Sequence, residues 1–582
     1  MAPVTFNLRS RVHEYGGRAF AARGDVVVAA GFADQRLYLL AKDALPRPLT
    51  PESGGRLRYA DLVLDLPRGR VLAVREDHRD GGEPRNEIVA VPLAGDPHEG
   101  VVLSGAHDFV AYPRLSPDGR TLAWIAWNHP AMPWDGTELW LADLDVAGAT
   151  AARRLVAGGP NESLVQPEWS PNGRLHVVSD RSGWWNLYRV ERDGLVSVCP
   201  VEGELAGPLW QLGARWYDFL DDRTAMGILT RDGGSDLVRL DLAAGTVHPL
   251  DLGMADLAGI SCSGGRTLVQ ALPADAPARL LLVGEDGTRT LATSGEAGVD
   301  AAYFTRSRPI AYPSADGRTA HALFYPPANP EFEGPPGTLP PLVVRTHGGP
   351  TGRASAAFSL AIQFWTSRGF AVVDVDYGGS TGYGRAYRRL LDGTWGIVDV
   401  EDCVAAVRHL AAEAAVDGDR VAIRGGSAGG YTTLCALTFT DAFKAGASAY
   451  GIGDLEALAR DTHKFESRYL DRLIGPWPEA AEVYRARSPI HHVDGLSCPV
   501  IFLQGLDDKV VPPNQAETMV AALRRKGITV AYLTFAGEGH GFRMAATMET
   551  ALLAEFAFFC RVFGIAPADA MTSEVSAALS AG

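Results

Sequence analysis

Residues 421–430 read Val-Ala-Ile-Arg-Gly-Gly-Ser-Ala-Gly-Gly, and the architecture predicted for the second half of the chain follows from them. Its first four residues are typical of the end of a buried strand, and a helix can begin at Ala428. Between them, Gly425, Ser427 and Gly429 form a Gly-X-Ser-X-Gly pattern, which is typical of a strand that turns sharply into a helix. Side chains at the flanking positions would clash in such a turn, and the helix N-terminus favours negative charge beside the serine. The stretch therefore predicts a nucleophilic serine at position 427.

From about residue 300 the surrounding sequence alternates continuous apolar strands with longer amphipathic segments, as in a parallel sheet covered by helices. We predict an α/β-hydrolase domain with a mostly parallel, doubly wound sheet over residues 299–582. The predicted strands are 320–325, 342–346, 371–376, 420–424, 445–450, 500–504 and 529–534. The predicted helices are 355–367, 400–414, 431–437, 515–524 and 547–562.

An acid and a base follow the serine in the chain order that this fold uses for a catalytic triad. The strand at 500–504 leads into an acidic turn with two candidate acids, Asp507 and Asp508. The spacing Gly-X-X-Asp-X-X-Val-Pro favours Asp508, and Asp507 stays the alternative. Further on, glycines on both sides of His540 permit a tight loop over the serine. In this scheme His540 takes the proton of Ser427, while Asp508 holds the imidazole tautomer.

An oxyanion hole is expected from backbone amides near the serine. One donor is the N–H of Ala428, directly after the nucleophile. The strand at 342–346 runs into His347-Gly348-Gly349-Pro350, where the small residues let the backbone approach a substrate. We predict the second donor at Gly349 and a structural role for His347 in shaping this loop.

The first half of the chain carries a repeat. Short apolar strands begin at residues 37, 87, 138, 186, 236 and 279, about 50 residues apart, and turn sequences such as Ser116-Pro117-Asp118-Gly119 precede several of them. A two-sheet sandwich would not produce such evenly spaced copies. The period predicts an all-β propeller over residues 1–298, with six blades counted and a less regular seventh left open.

Several residues are candidates for contacts with a substrate. Glu14 and Glu76 lie near predicted loop ends of the propeller and could hold a substrate ammonium group, although solvated loop charges are the more common explanation of such residues. Four residues near the serine could form a specificity pocket or belong to the ordinary core: Tyr450, Ile452, Leu455 and Phe542.

Composition limits the partners. The net charge of −15 argues against nucleic acids and anionic membranes, and no apolar run is long enough for a membrane span. The first ten residues lack the apolar core of a signal peptide, and the six cysteines show no Cys-X-X-Cys spacing, which favours free thiols and a cytoplasmic protein. No metal and no organic cofactor is implied. The oligomeric state is left open, a homo-oligomer included.

Taken together, these motifs resemble the prolyl oligopeptidase family of serine peptidases, in particular its acylaminoacyl-peptidase and dipeptidyl-aminopeptidase branch. The resemblance covers nearly the whole chain, but the specific motifs lie in the second half: His347–Pro350, Gly379–Gly384, Gly425–Gly430, Gly505–Pro512 and Gly539–Gly541. It implies a triad of Ser427, Asp508 and His540. It also implies a propeller that gates the site and filters substrates by size. Many relatives have tyrosine where this chain has Ala428, which leaves the backbone donor in place.

Three functions follow as hypotheses. The first is a serine exopeptidase that releases N-terminal residues from short peptides, of either the aminopeptidase or the acylaminoacyl-peptidase type. The second is an esterase or small-amide hydrolase that uses the same triad. The third is a propeller-based binding protein whose hydrolase domain is inactive.

Overall fold

Short strands that pair with their neighbours in the chain build the N-terminal half. The computed structural model describes residues 6–42, 44–94 and 97–580. The first three sheets contain β1 (Phe20–Arg23), β2 (Val26–Ala30), β3 (Leu37–Leu40), β4 (Arg47–Pro48), β5 (Leu57–Asp65), β6 (Arg70–Asp77), β7 (Arg85–Pro92), β8 (Val101–Ser104), β9 (Phe109–Leu115), β10 (Thr121–Trp127), β11 (Thr137–Leu144) and β12 (Thr150–Gly159). The next three contain β13 (Leu164–Trp169), β14 (Leu175–Ser179), β15 (Asn186–Glu191), β16 (Gly194–Ser197), β17 (Tyr217–Phe219), β18 (Thr224–Arg231), β19 (Gly234–Asp241), β20 (Thr246–Leu250), β21 (Asp256–Ser263), β22 (Arg266–Leu272), β23 (Arg279–Gly284) and β24 (Gly287–Thr293).

Each sheet has four antiparallel strands in sequential order, and the six sheets are the blades of a β-propeller. The six apolar segments that revealed the repeat are the third strands of the blades: β3, β7, β11, β15, β19 and β23. The propeller prediction is confirmed with six blades, because the described residues contain no seventh four-stranded sheet in this half.

Side chains from the first strands tie successive blades together. Asp61 in β5 accepts a hydrogen bond from the backbone N–H of Tyr112 in β9, at 2.7 Å. Gln166 in β13 accepts one from the N–H of Trp216, just before β17, also at 2.7 Å. Asp61 and Gln166 lie at irregularities in strand pairing, and both have a positive φ: 50° for Asp61 and 48° for Gln166. Each bulge therefore turns a polar side chain towards the next blade, where it satisfies a buried amide.

The C-terminal half is built on one eight-stranded sheet of order β25-β26-β28-β27-β29-β30-β31-β32. Its strands are β25 (Arg308–Pro313), β26 (Thr319–Tyr325), β27 (Leu342–Thr346), β28 (Ala371–Asp376), β29 (Val421–Gly426), β30 (Ala445–Ala449), β31 (Val500–Gly505) and β32 (Val530–Phe535). The six strands from β27 to β32 are parallel, and β25 and β26 form an antiparallel edge. The predicted α/β-hydrolase architecture is confirmed, and β25 is the strand that the sequence analysis missed.

Helices cover this sheet: α1 (Leu360–Thr366), α2 (Gly384–Arg388), α3 (Val398–Ala412), α4 (Ala428–Phe439), α5 (Leu455–Asp461), α6 (Tyr469–Leu473), α7 (Ala481–Arg487), α8 (Asn514–Lys526), α9 (Ala545–Phe563) and α10 (Ser573–Ser580). The prediction that the first of these helices begins at Ser355 was wrong, because α1 begins at Leu360. In the segment before α1, the Ser355 hydroxyl donates to Asp256 of the propeller and the Phe358 N–H to Pro273 O, so the segment is held by the first half instead of by helical bonds.

Residues between α5 and α6 join the two halves of the molecule. The Lys464 ammonium donates to the carbonyl oxygens of Pro84 and Asp108 in the propeller, both at 2.8 Å. On another side, the Trp210 indole N–H of the propeller donates to Thr351 O in the hydrolase half at 2.7 Å. The last propeller strand ends at Thr293 and the first hydrolase strand begins at Arg308. No helix among the described residues is both long and apolar enough to cross a membrane.

Candidate active site

Ser427 occupies the turn between β29 and α4 with a φ of 56°, a backbone conformation that residues other than glycine rarely adopt. The two glycines of the motif are required by close packing against β27. A Cβ at Gly425 would lie 2.2 Å from Thr346 Oγ1, and one at Gly429 would lie 2.3 Å from Thr346 O. The turn is therefore pressed against the neighbouring strand, and this contact holds the serine in its strained conformation.

Three side chains that lie far apart along the chain form a continuous hydrogen-bonded row. His540 Nε2 is 2.9 Å from Ser427 Oγ, and His540 Nδ1 is 2.8 Å from Asp508 Oδ2. Because a carboxylate only accepts hydrogen bonds, Nδ1 carries the proton and donates it to Asp508. Nε2 is then the acceptor for the serine hydroxyl. This tautomer is the one in which an imidazole can remove the serine proton.

The structure distinguishes the two candidate acids. Asp508 is buried, and its Oδ1 accepts hydrogen bonds from the backbone N–H groups of Val510 and Val511, both at 2.9 Å. Those bonds fix the carboxylate with Oδ2 turned to the histidine. Asp507 is exposed at the same turn, and among the described residues it forms no hydrogen bond or ion pair with His540.

Two backbone amides near the serine lie at the positions predicted for an oxyanion hole. Ala428 and Gly349 line the same cavity as Ser427, and neither N–H donates to a protein acceptor within the described residues. His347 supports this loop: its Nε2 lies 2.7 Å from Ser380 Oγ, and its ring stacks on Tyr377. Burial lowers the pKa of His347 to about 4, so its ring is neutral at pH 7.

The cavity next to the serine is mostly apolar. Its lining consists of Gly349, Pro350, Trp395, Ser427, Ala428, Ile452, Leu458, Thr462, Glu466, Tyr469, Leu470 and Val511. Of the four predicted pocket residues, Ile452 lies here. Leu455 is fully buried in the core, while Tyr450 and Phe542 line a separate, larger groove of about 1970 Å³. Tyr450 still contacts the site, because its ring meets that of His540 edge-on at 5.0 Å.

The two predicted amine-binding glutamates lie together in the propeller. Both are paired with one guanidinium: Arg58 Nη1 is 2.6 Å from Glu14 Oε1 and 3.3 Å from Glu76 Oε1. Glu76 is 3% exposed and also accepts the backbone N–H of His13 at 2.9 Å. Neither glutamate lines the cavity that contains Ser427.

Sequence reasoning missed an acidic residue in the cavity itself. Glu466, in the turn Lys464–Glu466 between α5 and α6, lines it together with Ser427. Tyr15, from the N-terminal segment of the propeller, donates its hydroxyl hydrogen bond to Glu466 Oε1. Burial and the nearby Glu466 carboxylate raise the pKa of Tyr15 well above its usual value, so Tyr15 stays a donor. The only signal in the sequence is the polar run at 462–469, whose pattern predicts a segment that flanks the cleft but assigns it no role.

One group of potential metal ligands occurs among the described residues: Asp454, Glu456 and His491. Two of these side chains already have structural partners. Asp454 caps α5 by accepting the N–H groups of Glu456 and Ala457, and Glu456 Oε1 is 3.0 Å from Arg485 Nε. The group is therefore explained by helix capping and an ion pair.

Comparisons with known proteins agree with this architecture. A family model described as the prolyl oligopeptidase family matches residues 356–566. The chain is 33% identical over 242 residues to dipeptidyl aminopeptidase BIII of Pseudoxanthomonas mexicana, a match that covers 40% of this chain and 35% of that protein. It is 31% identical over 220 residues to the acylamino-acid-releasing enzyme of Arabidopsis thaliana, covering 35% of this chain and 28% of that one. The matches thus span about a third of these curated relatives.

Solved structures match over the full length. A crystal structure of puromycin hydrolase is 42% identical, with a TM-score of 0.94, and the match covers 98% of this chain and 90% of that one. A puromycin-hydrolyzing peptidase of Mycobacterium tuberculosis is 43% identical with the same TM-score and coverage. These matches extend through both the propeller and the hydrolase half. This chain therefore belongs to the prolyl oligopeptidase family of serine peptidases.

Proposed function

We propose that this protein is a serine exopeptidase that releases N-terminal residues from short peptides. The observation that carries the proposal is the row Ser427–His540–Asp508, with hydrogen bonds of 2.9 and 2.8 Å and the tautomer that base catalysis needs. The relatives named above, among them an aminopeptidase, an acylamino-acid-releasing enzyme and puromycin hydrolase, support the choice of an exopeptidase.

The reaction has two stages, formation of an acyl ester on Ser427 and its hydrolysis. Ser427 Oγ attacks the carbonyl carbon of the first residue while its proton moves to His540 Nε2, and the oxyanion accepts hydrogen bonds from the N–H groups of Ala428 and Gly349. The tetrahedral intermediate then collapses: the C–N bond breaks, the leaving amine takes the proton from His540, and an acyl ester on Ser427 is left. Water attacks this ester with His540 as the base again, which releases the acid and restores the serine.

The domain arrangement supports a restriction to short substrates. The propeller, which we assign to residues 1–298, faces the site of the catalytic domain, residues 299–582. Contacts such as Arg353 with Asp256, at 2.6 Å, hold the two halves together around the cavity. A folded protein could not bring its chain to Ser427 past six blades, whereas a peptide of a few residues could.

The test is a panel of aminoacyl p-nitroanilides and matching p-nitrophenyl esters, assayed with the wild type and with Ser427→Ala. We expect amide cleavage by the wild type, one residue at a time, and loss of about 10⁴-fold or more in the variant. Labelling of the wild type, but not of the variant, by a fluorophosphonate would identify Ser427 as the nucleophile. Ester cleavage without amide cleavage would favour the esterase alternative, and no labelling would favour a binding protein.

A further inference from the structure

Glu466 is a partly buried carboxylate that lines the same cavity as the nucleophile. Its side chain is 14% exposed, and it lines the cavity that Ser427, Ala428 and Gly349 also line. Most other side chains of that cavity are apolar, including Ile452. A charge in such surroundings is costly unless a partner of opposite sign neutralises it.

The protein itself gives this carboxylate little neutralisation. Oε1 accepts one hydrogen bond, from the neutral Tyr15 hydroxyl. The nearest basic group to Oε2 is His463 Nε2 at 4.0 Å, and no Lys or Arg nitrogen within the described residues lies within 4.0 Å of Glu466. The cavity thus contains a carboxylate whose charge a cationic group of a ligand can neutralise.

The geometry of an N-terminal residue fits this position. In such a residue the α-ammonium sits on the carbon next to the scissile carbonyl, and that carbonyl must come within about 3.5 Å of Ser427 Oγ to react. The ammonium therefore enters the same small cavity as the nucleophile. Glu466 is there, whereas Glu14 and Glu76 lie outside it and already share Arg58.

We propose that Glu466, held in place by Tyr15, binds the α-ammonium group of the substrate's first residue, so that the enzyme acts on free and not on N-acylated termini. This inference rests on the proposed exopeptidase function and makes it more specific. An acylated terminus would place a neutral amide against the carboxylate, which would lose the ion pair and leave the partly buried charge without a cation.

The test uses three p-nitroanilides with the same leaving group and nearly the same shape: those of phenylalanine, N-acetylphenylalanine and 3-phenylpropionic acid. In Glu466→Gln, kcat/KM for the free amine should fall about 10- to 100-fold, the range for a charge-assisted hydrogen bond. Turnover of the phenylpropionyl compound, which has no amine, should stay within about twofold. Tyr15→Phe should produce a smaller loss with the same selectivity, because Tyr15 acts only through Glu466.

Two controls separate recognition from structural damage. Glu479→Gln removes an exposed glutamate shortly before α7 and should change none of the three rates. The rate of fluorophosphonate labelling should be equal in the wild type and Glu466→Gln, since the probe has no ammonium group.

The outcomes are distinct. Equal losses for all three substrates in Glu466→Gln, or no loss for any, would overturn the inference. So would a selective loss of the free-amine substrate in Glu76→Gln with none in Glu466→Gln. If the wild type prefers the acetylated anilide, the proposed amine site is refuted, but the proposed peptidase function still holds. If the wild type cleaves no anilide although Ser427 is labelled, the proposed exopeptidase function itself is refuted.

Discussion

The substitution Asp508→Asn tests the histidine tautomer directly, because the surroundings of Asp508 dictate how an asparagine would sit there. The N–H groups of Val510 and Val511 both point at Oδ1 from 2.9 Å. Only the carbonyl oxygen of an asparagine can accept them, so its NH₂ group must take the place of Oδ2 and face His540. Nδ1 of the histidine then becomes an acceptor, and Nε2 carries the proton.

A histidine protonated at Nε2 cannot remove the proton of Ser427, although every side chain stays in position. We therefore expect kcat to fall about 10⁴-fold, which corresponds to about 5.5 kcal/mol of transition-state stabilisation. KM should change little, because no group in contact with the substrate is altered. The assay is the hydrolysis of phenylalanine p-nitroanilide under saturating conditions, with the rate of fluorophosphonate labelling as a second readout.

The neighbouring Asp507 provides a matched control. It has the same side chain at the same turn but is exposed, so Asp507→Asn should retain wild-type kcat. The reasoning would be refuted by Asp508→Asn with more than about a tenth of wild-type activity in a folded protein. Equal losses in both variants would refute it as well.

Three further predictions concern stability. Gly429→Ala puts a methyl group 2.3 Å from Thr346 O and should lower the free energy of unfolding by about 1–3 kcal/mol in urea titrations; Gly207→Ala, where a Cβ meets nothing closer than 3.4 Å, should not. Arg388→Met removes one of the two guanidinium partners of the buried Asp180, at 2.5 Å, and leaves Arg385 at 3.0 Å, so it should lower the free energy of unfolding by about 1–3 kcal/mol, against no change for the exposed Arg289→Met. For His347, whose pKa in the folded protein is about 4, the unfolded chain binds the proton more readily below pH 6.5, so stability is lost as the pH falls from 6.5 towards 4. His347→Gln should remove about 2 kcal/mol of this loss between pH 8 and pH 5, and a parallel decline in both proteins would contradict that cause.

Patterns that are local in the sequence were sufficient for most of the fold. Each blade must bury two faces, so its third strand is apolar, and six such strands revealed the repeat. The strand β25 was missed because Pro309 and Pro313 obscure its pattern, and prolines are tolerated there since β25 is an edge strand. The start of the helix near Ser355 was placed too early because contacts with the propeller, which no local pattern records, hold that segment.

The candidate site divides in the same way. Ser427, Asp508 and His540 each lie in a recognisable turn or glycine-bounded loop, so sequence reasoning could select them before the structure brought them together. The choice between Asp507 and Asp508 rested on motif spacing alone, and the physical reason, two backbone donors, is visible only in three dimensions. Glu466 could not be selected at all, since its importance depends on Tyr15, 451 residues away in the chain.

That distance changes the interpretation of the propeller. A size filter needs only to cover the catalytic domain, and any rigid cap would serve. Here Tyr15 from the N-terminal half orients a carboxylate of the catalytic half, and Lys464, two residues before that carboxylate, is held by propeller carbonyl oxygens. The turn that presents Glu466 is thus fixed from both sides, so an isolated hydrolase half would keep its triad and lose the order of this turn. If the amine site is as proposed, substrate selection belongs to the contact between the halves, whereas bond cleavage belongs to the second half alone.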